Sequence, residues 1–320
     1  MIFNIEYRGR KRDDYESREK WIDALKAICM IFIIMSHLLW CPKILRHFLT
    51  SFFLVGFYFA SGYVMKPLSI RKFFMKKVKT ILWTWLIFSI IEIIIIFKFG
   101  NCKVTLIFVD ALILKFDFKK LSLLSIAMLF VSRLYGMLMP QNLLPWKSVC
   151  LPWHLHNIGT TSFFVILGYI YKKKSNKYKN KKPVLIVSLM LIIMYLIELY
   201  ITRDTIEIGI WNYTQLFSWI FVIGTGLAMI IFTAQIKIFS NNSVLGYIGR
   251  NTLLYYVLHQ NVCRVIERLI SKWSWGYSYS QTLIGQWIFT VLFTIFILLI
   301  LTVPIEFIKR KMNYLIEFVW

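Results

Sequence analysis

The fold is decided by residues 21–40, which read WIDALKAICMIFIIMSHLLW. Apolar residues fill most of this stretch, and a helix needs about 20 such residues to cross the hydrocarbon core of a membrane. A cleavable signal peptide would have a shorter apolar part ending in small residues, whereas this stretch ends in Trp40. We therefore expect a retained first membrane-spanning helix.

The composition of the 320 residues also indicates a membrane protein, because 58% are apolar and only 17% are charged. A water-soluble domain carries about 45–50% apolar and about 25% charged residues, so this chain lacks the polar surface to cover one. Nine further apolar stretches follow the first, at about residues 48–65, 80–99, 104–116, 121–139, 157–171, 183–201, 214–235, 252–270 and 282–303. We predict an all-α, polytopic integral membrane protein with about ten transmembrane helices.

The basic residues predict the orientation of these helices. With the N-terminus placed inside, 27 of the 38 Lys and Arg residues lie in cytoplasmic segments, seven in outer connections and four within spans. This excess predicts that both termini are cytoplasmic. The expected organisation is a basic N-terminal tail at residues 1–20, a membrane domain at 21–305 and a C-terminal tail at 306–320. Because the basic runs lie against helix ends, the net charge of +23 indicates topology and lipid contact, and we expect no nucleic-acid partner.

Three ionisable residues interrupt the first span, namely Asp23, Lys26 and His37. Such residues are costly in lipid and are candidates for a functional site. Lys26 and His37 are eleven positions apart, which is about 16.5 Å of rise and about 20° of rotation, so they share one helix face at different depths. Asp23 is three residues before Lys26 and can pair with it. In the alternative interpretation, Lys26 extends to the lipid headgroups and His37 lies at the interface.

The second apolar stretch ends in residues 52–63, which read FFLVGFYFASGY. Its small residues Ser61 and Gly62 allow close approach of a neighbouring helix, and this could be their whole purpose. Together, the first two stretches resemble the integral membrane acyltransferases called acyltransferase family 3, which include polysaccharide O-acetyltransferases. In that family the first helix carries an acidic residue and then a basic residue, ten positions and a histidine, and the second helix ends in an FFxxSGY-like run.

The resemblance extends along the chain from about residue 18 to 305. Asp23, Lys26 and His37 match the first pattern. Residues 59–63, FASGY, match the end of the second helix. Later stretches follow in the order that the family has them, namely 162–169, SFFVILGY, and 254–259, LYYVLH. The chain departs from the family's LWFL-like run, where Ile107 stands in place of tryptophan.

The resemblance implies a membrane O-acyltransferase that moves acetyl from cytoplasmic acetyl-CoA to a hydroxyl of a cell-surface polysaccharide or its lipid-linked precursor. It implies catalytic roles for His37, Lys26 and Asp23. His37 would be a general base or an acyl-accepting nucleophile, and Lys26 would contact the phosphates of CoA. The residues expected to bind substrate are Ser61, Tyr63, His156 and His259.

We expect no metal cofactor and no disulfide framework, because the five cysteines are far apart and form no CxxC pair. The expected partners are acetyl-CoA, a sugar or polysaccharide acceptor and membrane lipids. The expected location is the cell membrane, and the Lys- and Ile-rich composition favours a bacterial source.

Two alternative functions stay open, namely a carrier or flippase for lipid-linked oligosaccharides and a non-catalytic member of the family. Against the carrier, the sequence shows no paired half-repeats of the kind that transporters have.

Overall fold

The computed structural model describes residues 19–65, 118–138, 158–174, 182–202 and 216–319. Throughout these residues the secondary structure is α-helical, which agrees with the predicted fold class. The described helices are α1 (Lys20–His37), α2 (Lys43–Tyr63), α3 (Phe118–Leu138), α4 (Ile158–Lys174), α5 (Lys182–Thr202), α6 (Leu216–Gln235), α7 (Lys237–Asn241), α8 (Ser243–Arg250), α9 (Thr252–Lys272), α10 (Ser274–Ser280) and α11 (Leu283–Val319).

Eight of these helices coincide with predicted spans, namely α1 to α6, α9 and α11. The two other predicted spans, 80–99 and 104–116, lie outside the described residues. Within the described part, Lys43–Tyr63 and Leu283–Arg310 are long and apolar enough to cross a membrane on their own. The number of ten spans and the cytoplasmic placement of both termini stay predictions.

Helix α1 lies at the centre of the described bundle. It contacts α2, α6, α7, α8, α9 and α11. Leu25, Met30 and Ile34 are fully buried along its length. The ionisable residues of α1 are therefore carried by a helix with protein on several sides, and an intramembrane charge is tolerated best in such a position.

The connection between α1 and α2 is shorter than predicted, because α2 begins at Lys43 and not at residue 48. Pro42 occupies the N-cap of α2, where no bond within the helix needs its missing N–H, and its carbonyl accepts a hydrogen bond from the N–H of Arg46 (2.8 Å). The first turn of α2 carries two basic residues, Lys43 and Arg46. Hydropathy alone could not assign this turn to the helix.

Helices α2 and α4 pack through a reciprocal pair of glycines. A methyl group at Gly62 would overlap the backbone carbonyl of Val165, and one at Gly168 would overlap the carbonyl of Phe59. The two similar sequence stretches that end in Gly-Tyr thus form the two sides of one close helix crossing.

Two short helices, α7 and α8, precede α9. The Asn242 side chain caps α8 by accepting hydrogen bonds from the N–H groups of Val244 (2.9 Å) and Leu245 (3.0 Å). The hydroxyl of Tyr247 on α8 donates a hydrogen bond to Glu306 of α11 (2.6 Å). Burial raises the pKa of Tyr247, and the hydrogen bond to the Glu306 carboxylate raises it further.

Helix α9 buries a single stripe of its surface, formed by Tyr255, His259, Cys263, Ile266 and Ile270. The spacing of four and three residues is that of one face of an α-helix. His259 therefore faces the interior of the bundle.

Large apolar side chains are exposed on the outer helices. They include Met190 and Ile197 of α5 and Leu292, Leu299 and Val303 of α11. A water-soluble protein rarely exposes apolar patches of this extent, and a lipid environment explains them.

Helix α11 continues through Pro304 to Val319, beyond the predicted end of the membrane domain at residue 305.

Candidate active site

Helix α1 places Asp23, Lys26 and His37 at increasing distance from its N-terminal end. Asp23 is buried, with 3% of its surface exposed, Lys26 is half-buried, and His37 is exposed as the last residue of the helix. Asp23 and His37 are fourteen positions apart, which corresponds to about 21 Å along the helix axis. The three residues therefore lie along one central helix, with Asp23 and His37 near its opposite ends.

The imidazole rings of His37 and His259 lie next to each other. Their centroids are 5.1 Å apart and their planes are inclined by 50°. His259 is completely buried, whereas His37 is exposed. The structure thus brings together two of the predicted site residues from helices that are more than 200 positions apart.

The tautomer of neutral His259 follows from its hydrogen bond to the backbone. The ring Nδ1 lies 2.7 Å from the carbonyl oxygen of Tyr256. Since a carbonyl can only accept, Nδ1 must carry the proton and donate it. The lone pair is then on Nε2, which is buried and has no hydrogen-bond partner among the described residues.

The residues directly after His37 are held by side chains from two other helices. The backbone N–H of Leu39 donates to Oε1 of Glu267 on α9 (2.9 Å). The guanidinium of Arg46 on α2 donates to the carbonyls of Leu38 (2.8 Å) and Leu39 (3.3 Å). We call Arg46 and Glu267 the clamp. Because Glu267 and His259 share α9, the clamp also fixes the end of α1 relative to His259.

Two arginines lie near the exposed imidazole, on the same side as the carboxylate of Glu267. Arg46 and Arg264 both lie within electrostatic range of His37. Fixed positive charges favour the negative charge that develops on oxygen during acyl transfer. Neither arginine is among the site residues predicted from the sequence. Arg264 could have been found by the criterion that singled out Lys26, because it is an ionisable residue within a stretch long enough to span a membrane.

Ser61 and Tyr63 lie away from the two histidines. The Ser61 hydroxyl donates to the carbonyl of Phe57 within its own helix (2.8 Å). The Tyr63 hydroxyl donates to the carboxylate of Glu19, which also accepts from Nε1 of Trp21 (2.8 Å). Since Glu19 and Trp21 adjoin the start of α1, the end of α2 is at the opposite end of α1 from His37. The structure therefore does not bring Ser61 and Tyr63 together with the histidine pair.

His156, the remaining predicted site residue, lies outside the described residues. Within the described residues, no group of three or more His, Cys, Asp or Glu side chains is arranged to hold a metal ion.

The family model of acyltransferase family 3, which is described as an acyltransferase domain, matches residues 102–305. The match covers more than half of the chain. The chain belongs to acyltransferase family 3. Comparison with curated proteins and with solved structures gives no match. This family 3 acyltransferase is accordingly a membrane protein, and its general activity is acyl transfer.

The matched residues of this family 3 acyltransferase include α9, with His259 and Glu267, whereas His37 precedes them. The ring contact between His37 and His259 joins the first helix to the matched region. The first helix, which resembles the family in its motif, thus contacts the region that the family model matches.

Proposed function

We propose that this acyltransferase moves acetyl from cytoplasmic acetyl-CoA to a hydroxyl of a cell-surface polysaccharide or its lipid-linked precursor, and that His37 carries out the chemistry. The observation that supports the proposal most is the pair formed by His37 and His259. One ring is exposed and able to meet substrates, and the other is buried and held in one tautomer.

In the direct reaction, His37 acts as a general base. Its imidazole takes the proton from the acceptor hydroxyl while the hydroxyl oxygen forms a bond to the thioester carbonyl carbon. The carbon–sulfur bond then breaks, and the CoA thiolate recovers the proton from the imidazolium. One ester and one CoA thiol form for each acetyl-CoA consumed.

A covalent route uses the same residue. One nitrogen of the neutral His37 imidazole attacks the thioester carbonyl and the carbon–sulfur bond breaks. The proton of the other ring nitrogen passes to the CoA thiolate, so that a CoA thiol and a neutral acetyl-imidazole form. The acceptor hydroxyl then attacks this acetyl group, and its proton returns to the imidazole that leaves. Both routes build negative charge on the carbonyl oxygen, and the positive charges of Arg46 and Arg264, which lie within electrostatic range of His37, would favour it.

The remaining residues have supporting roles in this proposal. His259 is a positioning residue, because it is buried against His37 and its own proton is held by the Tyr256 carbonyl. Lys26 and Asp23 belong to the donor path on α1, toward the cytoplasmic end of the predicted topology. Ser61 and Tyr63, which lie near the start of α1, fit the donor side better than the histidine pair.

The function is tested with the purified full chain in liposomes, supplied with labelled acetyl-CoA and surface glycan from the host. We expect labelled ester on the glycan and an equal amount of free CoA thiol. Liposomes without protein are the control. If glycan crosses the liposome membrane while acetyl-CoA is never consumed, the chain is a carrier and the proposal is wrong.

A further inference from the structure

Three cations lie along one face of α9, between the histidine pair and the outer end of this helix in the predicted topology. Arg264, Arg268 and Lys272 follow one another at four-residue spacing, and all three side chains are exposed. Arg264 and Lys272 are about 12 Å apart along the helix axis. Arg264 lies within electrostatic range of His37, so the inner end of this set is beside the proposed catalytic residue. We call these three residues the basic row.

The basic row keeps most of its positive charge. Within the described residues, none of its three members forms an ion pair. The carboxylate on this part of α9 is that of Glu267, which accepts the hydrogen bond from Leu39 and lies within electrostatic range of both Arg46 and Arg264. Like charges at four-residue spacing destabilise a helix, so an anion that bound to the row would relieve this repulsion.

The depth of the row in the membrane follows from the aromatic residues after it. Trp273 and Tyr277 each expose about half of their surface, and such side chains are enriched at the membrane–water interface. Lys272 is therefore level with the lipid headgroups, whereas Arg264 is about 12 Å deeper. An arginine at this depth is tolerated where it faces protein or a water-filled space. Since the Arg264 side chain is exposed, the row lines a space that is open to water and leads to His37.

The face of α9 that carries the row also offers a neutral polar group. Gln260, one turn inward from Arg264, is exposed as well. Its amide can both donate to and accept from a hydroxyl group. A lipid headgroup at the interface meets Lys272 but not Gln260 or Arg264. A long polar molecule with anionic groups and hydroxyl groups fits the whole face, and an acidic glycan has this composition.

We propose that the basic row binds an acidic glycan, so that the acceptor is a chain with carboxylate or phosphodiester groups. Arg268 and Lys272 hold these groups while a hydroxyl of the same chain reaches His37. The guanidinium of arginine matches the geometry of both kinds of anion, and lysine adds a point charge. The inference rests on the proposed function and narrows its acceptor to anionic glycans.

The test measures acetyl transfer to the surface glycan of the host by the purified full chain in nanodiscs of phosphatidylcholine, which has no net charge. We expect Arg268→Gln and Lys272→Gln each to raise the KM for glycan about fivefold, the upper end of the effect of one exposed ion pair. The kcat and the KM for acetyl-CoA should change little. Raising the salt concentration from about 0.05 to about 0.5 M should raise the wild-type KM for glycan and bring it closer to that of the variants.

Lys43→Gln is the matched control, because Lys43 is an exposed lysine at the same end of the bundle but on α2. It should keep the wild-type KM for glycan, and Arg268→Lys, which keeps the charge, should stay close to that value. The proposal is overturned if Arg268→Gln and Lys272→Gln keep the wild-type KM, or if Lys43→Gln raises it equally. It is also overturned if these variants differ from the wild type only in nanodiscs that contain phosphatidylglycerol, because the row would then bind lipid headgroups.

Two further results separate failure of this inference from failure of the proposed function. If the glycan that the wild type acetylates has neither carboxylate nor phosphate groups, the inference is overturned while the proposed function stands. If no preparation consumes acetyl-CoA, calorimetry with hexagalacturonate still tests the row. Binding to the wild type that weakens about fivefold in Arg268→Gln supports the inference. No binding to the wild type, or equal binding of a neutral galactose hexamer, overturns it.

Discussion

The two histidines of the candidate site differ in what surrounds them. His37 is exposed, while His259 is buried with a fixed proton position. An exposed imidazole can meet a substrate, whereas a buried one can orient its neighbour but cannot receive a sugar hydroxyl without movement. This difference is the reason to assign the chemistry to His37 and a positioning role to His259.

Glu267 is a second positioning residue, because its carboxylate holds the backbone N–H of Leu39 beside the exposed histidine. We expect Glu267→Ala to lower kcat by about tenfold while the KM for donor changes little, since the lost bond belongs to a charged acceptor. Glu267→Gln keeps an oxygen that accepts from Leu39 and should recover most of the rate. Steady-state kinetics of the purified variants measures both values.

Leu269→Ala provides the control for Glu267, because Leu269 is an exposed neighbour on the same helix. It should leave kcat unchanged. A purely structural role for Glu267 would appear as a lower unfolding temperature with an unchanged kcat, or as a Gln variant no better than the Ala variant. Either result would contradict the positioning role.

Some residues of the site could be predicted from the sequence, because an ionisable residue is rare within a membrane-spanning stretch. His37, Lys26 and Asp23 stand out because a charge within an apolar stretch is costly. The clamp could not be predicted, because the bond from Leu39 to Glu267 joins residues 228 positions apart. No local pattern in one sequence reports such a contact.

Among the helices, the crossing of α2 and α4 explains the glycines of two similar sequence stretches. Each glycine faces the backbone of the other helix, and no side chain fits between them. The sequence indicated close helix approach at Gly62 but could not name α4 as the partner. Only the three-dimensional arrangement does so.

Alanine at Gly62 or Gly168 should therefore destabilise the protein. The added methyl group must push two backbones apart, and overpacking of this kind costs about 1–3 kcal/mol. We expect the unfolding temperature in detergent to fall by several degrees, as followed by intrinsic fluorescence. Gly224→Ala is the matched control, because no heavy atom lies within 4 Å of a methyl group at that position. An equal fall for Gly224→Ala would contradict this explanation.

The helix boundaries show where hydropathy is informative and where it is not. Long apolar helices such as α5 and α6 lie within about two residues of their predicted ranges. The first turn of α2, with its two basic residues, and the short helices α7 and α8 were not predicted. Helices of five to eight residues fall below the length that a membrane-span criterion detects.

For the molecule as a whole, α1 is the element that joins the two polar regions. A cavity lined by Lys20, Asp23 and Arg250 lies near its beginning, and the histidine pair lies at its end. Protein surrounds much of the helix between them. A donor that enters from the cytoplasmic side of the predicted topology would follow this helix toward His37.

The central claim is that His37 transfers acetyl from acetyl-CoA to a glycan. The most direct measurement is the rate of label transfer from acetyl-CoA to surface glycan by the purified chain, its His37→Gln variant and its His47→Gln variant in nanodiscs. His47 is the control, since it is a histidine of the neighbouring helix α2. We predict that His47→Gln keeps the wild-type rate and that His37→Gln loses about 10²- to 10⁴-fold. A His37→Gln variant that transfers acetyl at the wild-type rate would contradict the claim.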